Sequence, residues 1–414
     1  MIVKTNLARP SLFAVLALAT CFLMPAAQAS TVAVGTCPTT YITFSAIQTA
    51  INAVPAGSTI KICPGNYYEQ LVITKKLTLE GVATTSQDAV VIYSPAAGLV
   101  QNTSDPRGAV AAHVLVQGAS LVSISNLTVD STGNNYNGDD LRGILYQDAS
   151  GTVNHVAVRN VVPNDTPTGD QSGQGIMVET TTSPSASLTV ENSSVHNYNK
   201  NGIVARYSGA ALTATGNYVQ GNGPISYIAQ NGIEIAFNGA TGSIKNNTVI
   251  DNFYIPTTDS ASDILLYDSS GAITVSGNIT GNSNIAIALE AATSGYGNDV
   301  SVTGNKIFGT STFDGIDVCT NNNTVTGNVI FNSAQSAVHL DATCAGGTGN
   351  SNTVSGNTIL ESACAGYLAD SGTTGNAPLT GTFYTVPFPT TSSTGECTIP
   401  SGPARAGATH KFQP

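Results

Sequence analysis

A short phrase recurs nine times along this chain, and recurrence of that kind admits few folds. It reads polar residue, Gly, Ile, any residue, apolar residue in Arg142-Gly143-Ile144-Leu145-Tyr146, Gln174-Gly175-Ile176-Met177-Val178, Asn201-Gly202-Ile203-Val204-Ala205 and Asn231-Gly232-Ile233-Glu234-Ile235. Degenerate copies centre on Ile264, Ile287, Ile316, Val338 and Tyr367, and successive copies lie 32, 27, 30, 31, 23, 29, 22 and 29 residues apart. Between them runs an alternating Val/Thr segment ending in Gly-Asn or Asn-Asn, with its asparagines at Asn217, Asn247, Asn278, Asn305, Asn328 and Asn357. Two short strands per irregular period, with no helical pattern between them, describe a solenoid. A leucine-rich repeat would carry fixed leucines, and a propeller would need four strands in about 40 residues. The reading that fits is all-β: a single-stranded right-handed parallel β-helix whose turns stack about 4.8 Å apart.

In such a coil the 22-residue step is a minimal turn, and the surplus of longer steps becomes loops. The asparagines are expected to form a buried ladder, each amide bonding the next turn. The open ends of the stack need covers. Ile47, Ala50, Ile51 and Val54 follow helical spacing and predict a short N-terminal capping helix. The Thr-, Gly-, Pro- and Ser-rich stretch 371–414 is expected to be an irregular C-terminal cover and tail.

Residues 1–29 read as a secretory signal peptide: Lys4 and Arg9, an apolar run from Leu12 to Met24, then Ala27-Gln28-Ala29. The expected organisation is therefore a leader over 1–29, a β-helix with its N-terminal cap over 30–370, and the cover over 371–414. Cys21 leaves with the leader. Six cysteines remain, an even number that suits an oxidising compartment and disulfides. Six cysteines allow 15 connectivities; proximity favours Cys37 with Cys63, Cys319 with Cys344, and Cys364 with Cys397. Without Lys4 and Arg9, 12 basic residues face 25 acidic ones. That balance disfavours nucleic acid and anionic lipid as partners. A secreted monomer with no membrane span is expected.

The run Phe44 through Ala50-Ile51-Asn52 to Gly57-Ser58-Thr59-Ile60, then Pro64-Gly65-Asn66-Tyr67-Tyr68-Glu69 and Leu77-Thr78-Leu79-Glu80-Gly81, resembles the N-terminal turn of pectin-lyase-like β-helix proteins. That superfamily includes pectate lyases, pectin methylesterases, polygalacturonases, alginate epimerases and phage tailspikes. The resemblance spans roughly residues 40–370 and implies the fold; one scaffold hosts many chemistries.

Alternation assigns the faces of the Gly-Ile phrase: Ile and the apolar residue two later point inward, their neighbours outward. One outward column is expected to hold Glu234, Asp317 and His339, and another Gln147, Glu179, Arg206, Tyr267, Glu290 and Asp341. Asp317 and His339 lie 22 residues apart, one minimal turn. With Asp314 and Asp341 they make the candidate catalytic group, since carboxylates beside an imidazole supply acid–base chemistry on a glycan. Glu179, Arg206, Tyr207, Glu234, Tyr267 and Glu290 are candidate substrate-binding residues: Arg206 for a sugar carboxylate or for a surface salt bridge to Glu179, the tyrosines as flat surfaces for sugar rings.

Phe313-Asp314-Gly315-Ile316-Asp317-Val318 is similar to the Asn-Thr-Asp-Gly-Ile-Asp stretch of polygalacturonases, which implies a catalytic role for Asp314. The two adjacent aspartates of that family's next turn are replaced here by Gln335-Ser336. Resemblance to pectate lyases would instead make Arg206 or His339 the base. The five histidines show no ligand spacing, so no cofactor is expected. Asp139-Asp140 and Asn298-Asp299 leave a Ca²⁺ site open. Two functions follow: a polysaccharide hydrolase or lyase, or a non-catalytic surface or matrix protein that binds glycans or adheres.

Overall fold

The computed structural model describes residues 1, 28–37, 39–82, 86–138, 140–256 and 258–393. Nearly all of the expected leader, and Cys397, lie outside the described residues. Within them the chain winds as a parallel β-helix. One sheet stacks twelve parallel strands, from Leu71–Ile73 through Gly108–Gln117, Asp140–Gln147, Gln174–Glu179, Asn201–Arg206, Asn231–Ala236, Ser262–Tyr267, Ile285–Glu290, Ile316–Val318, Val338–Leu340 and Ala365–Asp370 to Phe388–Ser393. The short strand Thr103–Asp105 adds to it antiparallel, against Gly108–Gln117. The other two faces join as one 22-stranded sheet, because strands such as Ser150–Val161 run round the corner and pair on both sides of it.

Inward side chains repeat at each turn. Ile144, Ile176, Ile203, Ile233, Ile264, Ile287, Ile316 and Val338 form one row of a continuous buried core. The glycine beside this row has a steric cause. A Cβ on Gly175, Gly202 or Gly232 would stand 2.6 Å from the next turn's carbonyl oxygen and 2.2–2.4 Å from Val195, Val219 or Val249 of the adjoining sheet. Asp263 takes this place one turn later. There the adjoining strand offers Gly281, whose N–H donates to Asp263 Oδ2 at 2.8 Å, while Asn252 Nδ2 donates to Oδ1 at 2.9 Å. Burial holds the Asp263 carboxyl well above the usual carboxylate range.

The asparagine ladder forms as expected. From Asn217 to Asn328, each Nδ2 donates to the next asparagine's Oδ1 and to a backbone carbonyl of the preceding turn. Each Oδ1 from Asn247 to Asn357 also accepts its predecessor's backbone N–H. The capping helix is present at Ile47–Ala53, with Ile47, Ala50 and Ile51 buried; Glu69 accepts from the N–H groups of Ile47 and Gln48 at its start.

The C-terminal expectation needs correction. Regular pairing continues past Asp370: Leu379–Thr385 pairs with Thr353–Glu361, and Phe388–Ser393 with Ala365–Asp370. These last strands are polar because a final rung is held by backbone bonds to the turn below and buries little of its own surface. Disulfides join Cys37 to Cys63 and Cys319 to Cys344, as proximity suggested. Cys364 is also disulfide-bonded. No helix among the described residues is long and apolar enough to cross a membrane.

Replacing one rung of the ladder tests its weight. Asn278→Ala removes the acceptor of two Asn247 hydrogens and the donor to Ile244 O. Leaving these groups unpaired in the interior is expected to cost about 2–4 kcal/mol, read as a lower urea midpoint by circular dichroism.

Candidate functional site

The register of the twelve-strand sheet converts sequence spacing into columns. One outward column runs Leu115, Leu145, Met177, Val204, Glu234, Leu265, Ala288, Asp317, His339, Leu368. The next runs Gln117, Gln147, Glu179, Arg206, Ala236, Tyr267, Glu290, and Asp341 and Asp370 continue it two and three turns later. Both expected columns therefore form.

The C-terminal third of this face collects carboxylates around His339. Its Nδ1 lies 3.2 Å from Asp314 Oδ2 and its Nε2 lies 3.2 Å from Asp370 Oδ1. Burial alone would lower the His339 pKa, but these two carboxylates hold it well above the ordinary value, which favours the charged ring. Both ring nitrogens of His339 are therefore engaged by carboxylates. Asp314 is occupied twice, since Oδ1 also accepts from Ser336 N–H at 2.8 Å. Asp317 differs. It is fully buried, and neither carboxyl oxygen has a hydrogen-bond partner. Ligand atoms of Asp317, His339 and Asp341 lie within 4.8 Å of one another. Burial first, then the charge of Asp341, push the Asp317 pKa well above the carboxylate range. Asp341 Oδ1 accepts from Thr343 N–H at 2.6 Å. Asp370 was not among the expected site residues, yet it occupies Asp341's column one turn on, a signal that extending the column would have revealed.

A second charged centre lies N-terminal to the first. Arg142 Nη1 bonds Asp140 Oδ1 at 2.8 Å and also Gln174, and its Nη2 lies 3.4 Å from Asp105 Oδ2. Gln147 donates to Glu179 Oε1 at 2.9 Å, while Oε2 of Glu179 has no partner. Burial pushes the Glu179 carboxyl up to about 7. Arg206 and Glu179 are register neighbours, but the expected ion pair does not form between them. Arg206 Nη2 reaches Asn201 Oδ1 at 3.4 Å, its carbon centre lies 5.4 Å from the Phe237 ring centroid, and Nε and Nη1 have no partner. Glu234 accepts from Asn201 and Asn231 at 2.5 and 2.9 Å.

The outward face is far less solvated than expected. Glu179, Arg206, Glu234, Glu290, Asp317, His339 and Asp341 are each at most 3% exposed. Part of the reason is visible in neighbouring segments. Thr103–Asp105 covers Gln147 and Arg142, and Phe237 and Phe313 pack with Tyr267, Leu265, Ile285 and Ala288 in an outward apolar cluster. Tyr267 meets Phe237 edge-on at 5.6 Å and is 8% exposed, so it is no open platform. Tyr207 lies half-buried, 6.4 Å from the same ring. Phe237 was missed in sequence because it sits just beyond the repeated phrase.

Of the residues expected to leave a Ca²⁺ site open, Asp139 lies outside the described residues, Asp140 is held by Arg142 and approached by Arg107 at 3.8 Å, and Asn298 Oδ1 already accepts from Asn321 N–H.

Fold and face together define a right-handed parallel β-helix with two buried charge centres on one sheet. No protein-family model matches the chain, nor does any curated protein sequence. Among solved structures, the chain is similar to the mannuronan C-5 epimerase AlgE4 A-module of Azotobacter vinelandii, with 16% identity, TM-score 0.55 and coverage of 84% of this chain and 94% of that one. It is also similar to a GH136 lacto-N-biosidase from Eubacterium ramulus, with 11% identity, TM-score 0.55 and coverage of 88% and 68%. A third is PfbA, a surface adhesin of Streptococcus pneumoniae, with 14% identity, TM-score 0.50 and coverage of 84% and 87%.

The Glu179 shift fixes a pH dependence. A carboxyl raised from 4.5 to about 7 in the fold leaves stability intact below about pH 4.5 and lowers it as pH rises through 7. The loss approaches about 3 kcal/mol by the usual conversion. Glu179→Gln is expected to flatten that decline in urea titrations between pH 4.5 and 8.

Proposed function

We propose that the protein is an exported polysaccharide hydrolase whose acid–base chemistry lies at Asp317 and Asp341. The observation that carries this reading is the buried Asp317 carboxyl, neither oxygen of which has a hydrogen-bond partner and whose pKa burial and the charge of Asp341 push well above the carboxylate range. One oxygen of Asp317 lies within 4.8 Å of one oxygen of Asp341, below the roughly 6.5–9.5 Å spacing of inverting pairs, which favours a retaining arrangement. Asp317 gives its proton to the glycosidic oxygen as the Asp341 carboxylate attacks the anomeric carbon, which forms a glycosyl ester and releases the leaving sugar. Water then attacks that carbon, Asp317 takes the water's proton, and Asp341 departs as carboxylate. Asp314 and Asp370 position the His339 imidazolium, whose charge steadies the carboxylate left behind at each step. Glu290, one turn before Asp317, and the Arg206 centre border further subsites. Export fits the two disulfides and the leader read from the sequence.

A second reading has one observation in its favour. The acid cluster is nearly closed to solvent, which suits a glycan-binding or adhesive β-helix without turnover as well as a site that opens for substrate.

Reducing-sugar release and absorbance near 235 nm from a polysaccharide panel separate the cases. Hydrolysis is expected: reducing ends without absorbance, with kcat/KM falling as pH rises through the raised Asp317 pKa. Asp317→Asn should cut turnover by about 10²–10⁴-fold while leaving the melting temperature equal or higher, since it removes a buried unpartnered acid. Growth at 235 nm would establish elimination and overturn the reading; binding without either signal would favour the adhesive one.

A further inference from the structure

A different outward surface of the coil carries a pattern that the charged face does not explain. Strands Thr274–Ser276, Ser301–Thr303 and Thr324–Thr326 lie on consecutive turns of the 22-stranded sheet, and each begins and ends on a hydroxyl with a buried valine between. Thr353 and Ser355 repeat the pair one turn on. Over the six turns from Thr213 to Ser355 the register is unbroken, and eleven of the twelve outward places are Ser or Thr, Lys245 being the exception. Threonine favours strands in general, so the same turns supply the control. On the adjoining outward strip, from Tyr218 and Gln220 to Thr358 and Phe331, only two of eleven register places are Ser or Thr, and Ile279, Phe308 and Phe331 stand exposed. Strand propensity alone does not account for the hydroxyl pairs.

The pairs are also free and held in place. All eleven residues are partly exposed, and none bonds through its hydroxyl to another described residue. Such bonds are within reach of the geometry, since Thr152 donates to Ser123 across one turn at 3.0 Å. The asparagine ladder lies two residues beyond each pair, from Asn217 to Asn357, so buried amides fix the register of the backbone that carries the hydroxyls.

We infer that this strip is an ice-binding face. Its hydroxyls form a grid that repeats at about 4.8 Å between turns and about 6.6 Å along each strand, close to the oxygen repeats on a prism face of hexagonal ice. Ice is an uncharged lattice of donors and acceptors, and a hydroxyl is both. The strip matches it in charge: the protein carries a net −11, yet the four turns from Thr274 to Ser355 place no charge in these two columns. A charged partner finds nothing to pair with there, and the strip offers no aromatic plane to a sugar ring. Threonine is stiff at χ1, so little side-chain entropy is lost when its hydroxyl and methyl seat against a lattice. Water held between the rungs takes up ice positions, and the bound coil then blocks growth of that crystal face. The inference is independent of the hydrolase reading, whose residues lie on the twelve-strand sheet.

Thermal hysteresis, crystal shape and partition into a slowly grown ice hemisphere, measured on the full chain, test it. The folded protein is expected to facet ice crystals, to open a gap between their melting and freezing temperatures, and to enter the ice. Thr324→Tyr, inside the four-turn block, should remove all three without lowering the protein's own melting temperature, since tyrosine suits a partly exposed strand position. Thr358→Tyr, the same change on the adjoining strip, should keep them. No gap and no faceting by the folded chain, or equal loss in both variants, would overturn the ice face. Binding to crystalline cellulose or chitin that Thr324→Tyr abolishes, without any effect on ice, would overturn it too and assign the strip to a solid glycan. Polysaccharide turnover is expected to be unchanged in Thr324→Tyr, so either reading can fail without the other.

Discussion

The asparagine ladder along one corner of the coil is the interaction on which the other features depend. Each rung from Asn247 to Asn328 accepts a backbone N–H and an amide hydrogen from the rung before it, and donates both to a carbonyl there and to the asparagine of the rung after it. These groups are buried, so a turn that slipped by one residue would strand donors and acceptors where no water replaces them. The ladder therefore holds neighbouring turns in register however many residues a loop inserts. Steps of 22 and 31 residues end at the same height. That is why Asp317 meets His339 and Glu179 meets Arg206 directly across one turn.

A coil this regular makes departures easy to read. The inward glycine place admits no Cβ while the adjoining sheet presents valine, and Asp263 enters where the register partner of Val249 is Thr280 and the next residue, Gly281, donates its N–H to the carboxylate. The exchange is matched across two sheets, so the buried acid is accommodated by its neighbours and not merely tolerated. At the opposite end of the same strands, Tyr207 and Phe237 occupy a left-handed position, where their N–H groups donate to Ala236 O and Tyr267 O of the next turn and Phe237 packs in the outward apolar cluster.

How far the sequence could be read follows from the same periodicity. Inward and outward faces, both columns, the ladder and two disulfides were legible because each depends only on spacing. What escaped was set between turns or beyond the phrase. Asp370 bonds His339 from the next turn, and Phe237 reaches Arg206 from a loop whose conformation no periodicity encodes. The burial of the charged face also escaped, since alternation says which way a side chain points but not what lies over it. The final strands escaped for the opposite reason: Leu379–Thr385 pairs through its backbone, and its largely exposed side chains leave no apolar pattern to find.

Burial turns a small number of charges into a sorted set. Only 9% of residues are charged, and those on this face act with little water to screen them. Around His339 the sorting is geometric. Asp314 and Asp370 reach the two ring nitrogens and support the imidazolium, while Asp317, in the same column as the ring, receives no hydrogen bond from it. Asp317 is therefore the carboxyl on which a proton is most favoured. One imidazolium among four aspartates leaves the group with more negative charge than it can hold, and the excess is relieved at the one acid with no donor. Environments that drive neighbouring carboxyls apart in this way assign acid and base roles without any further residue. In the proposed hydrolase that assignment depends on His339 staying charged, and Asp314 and Asp370 support it by reaching both ring nitrogens.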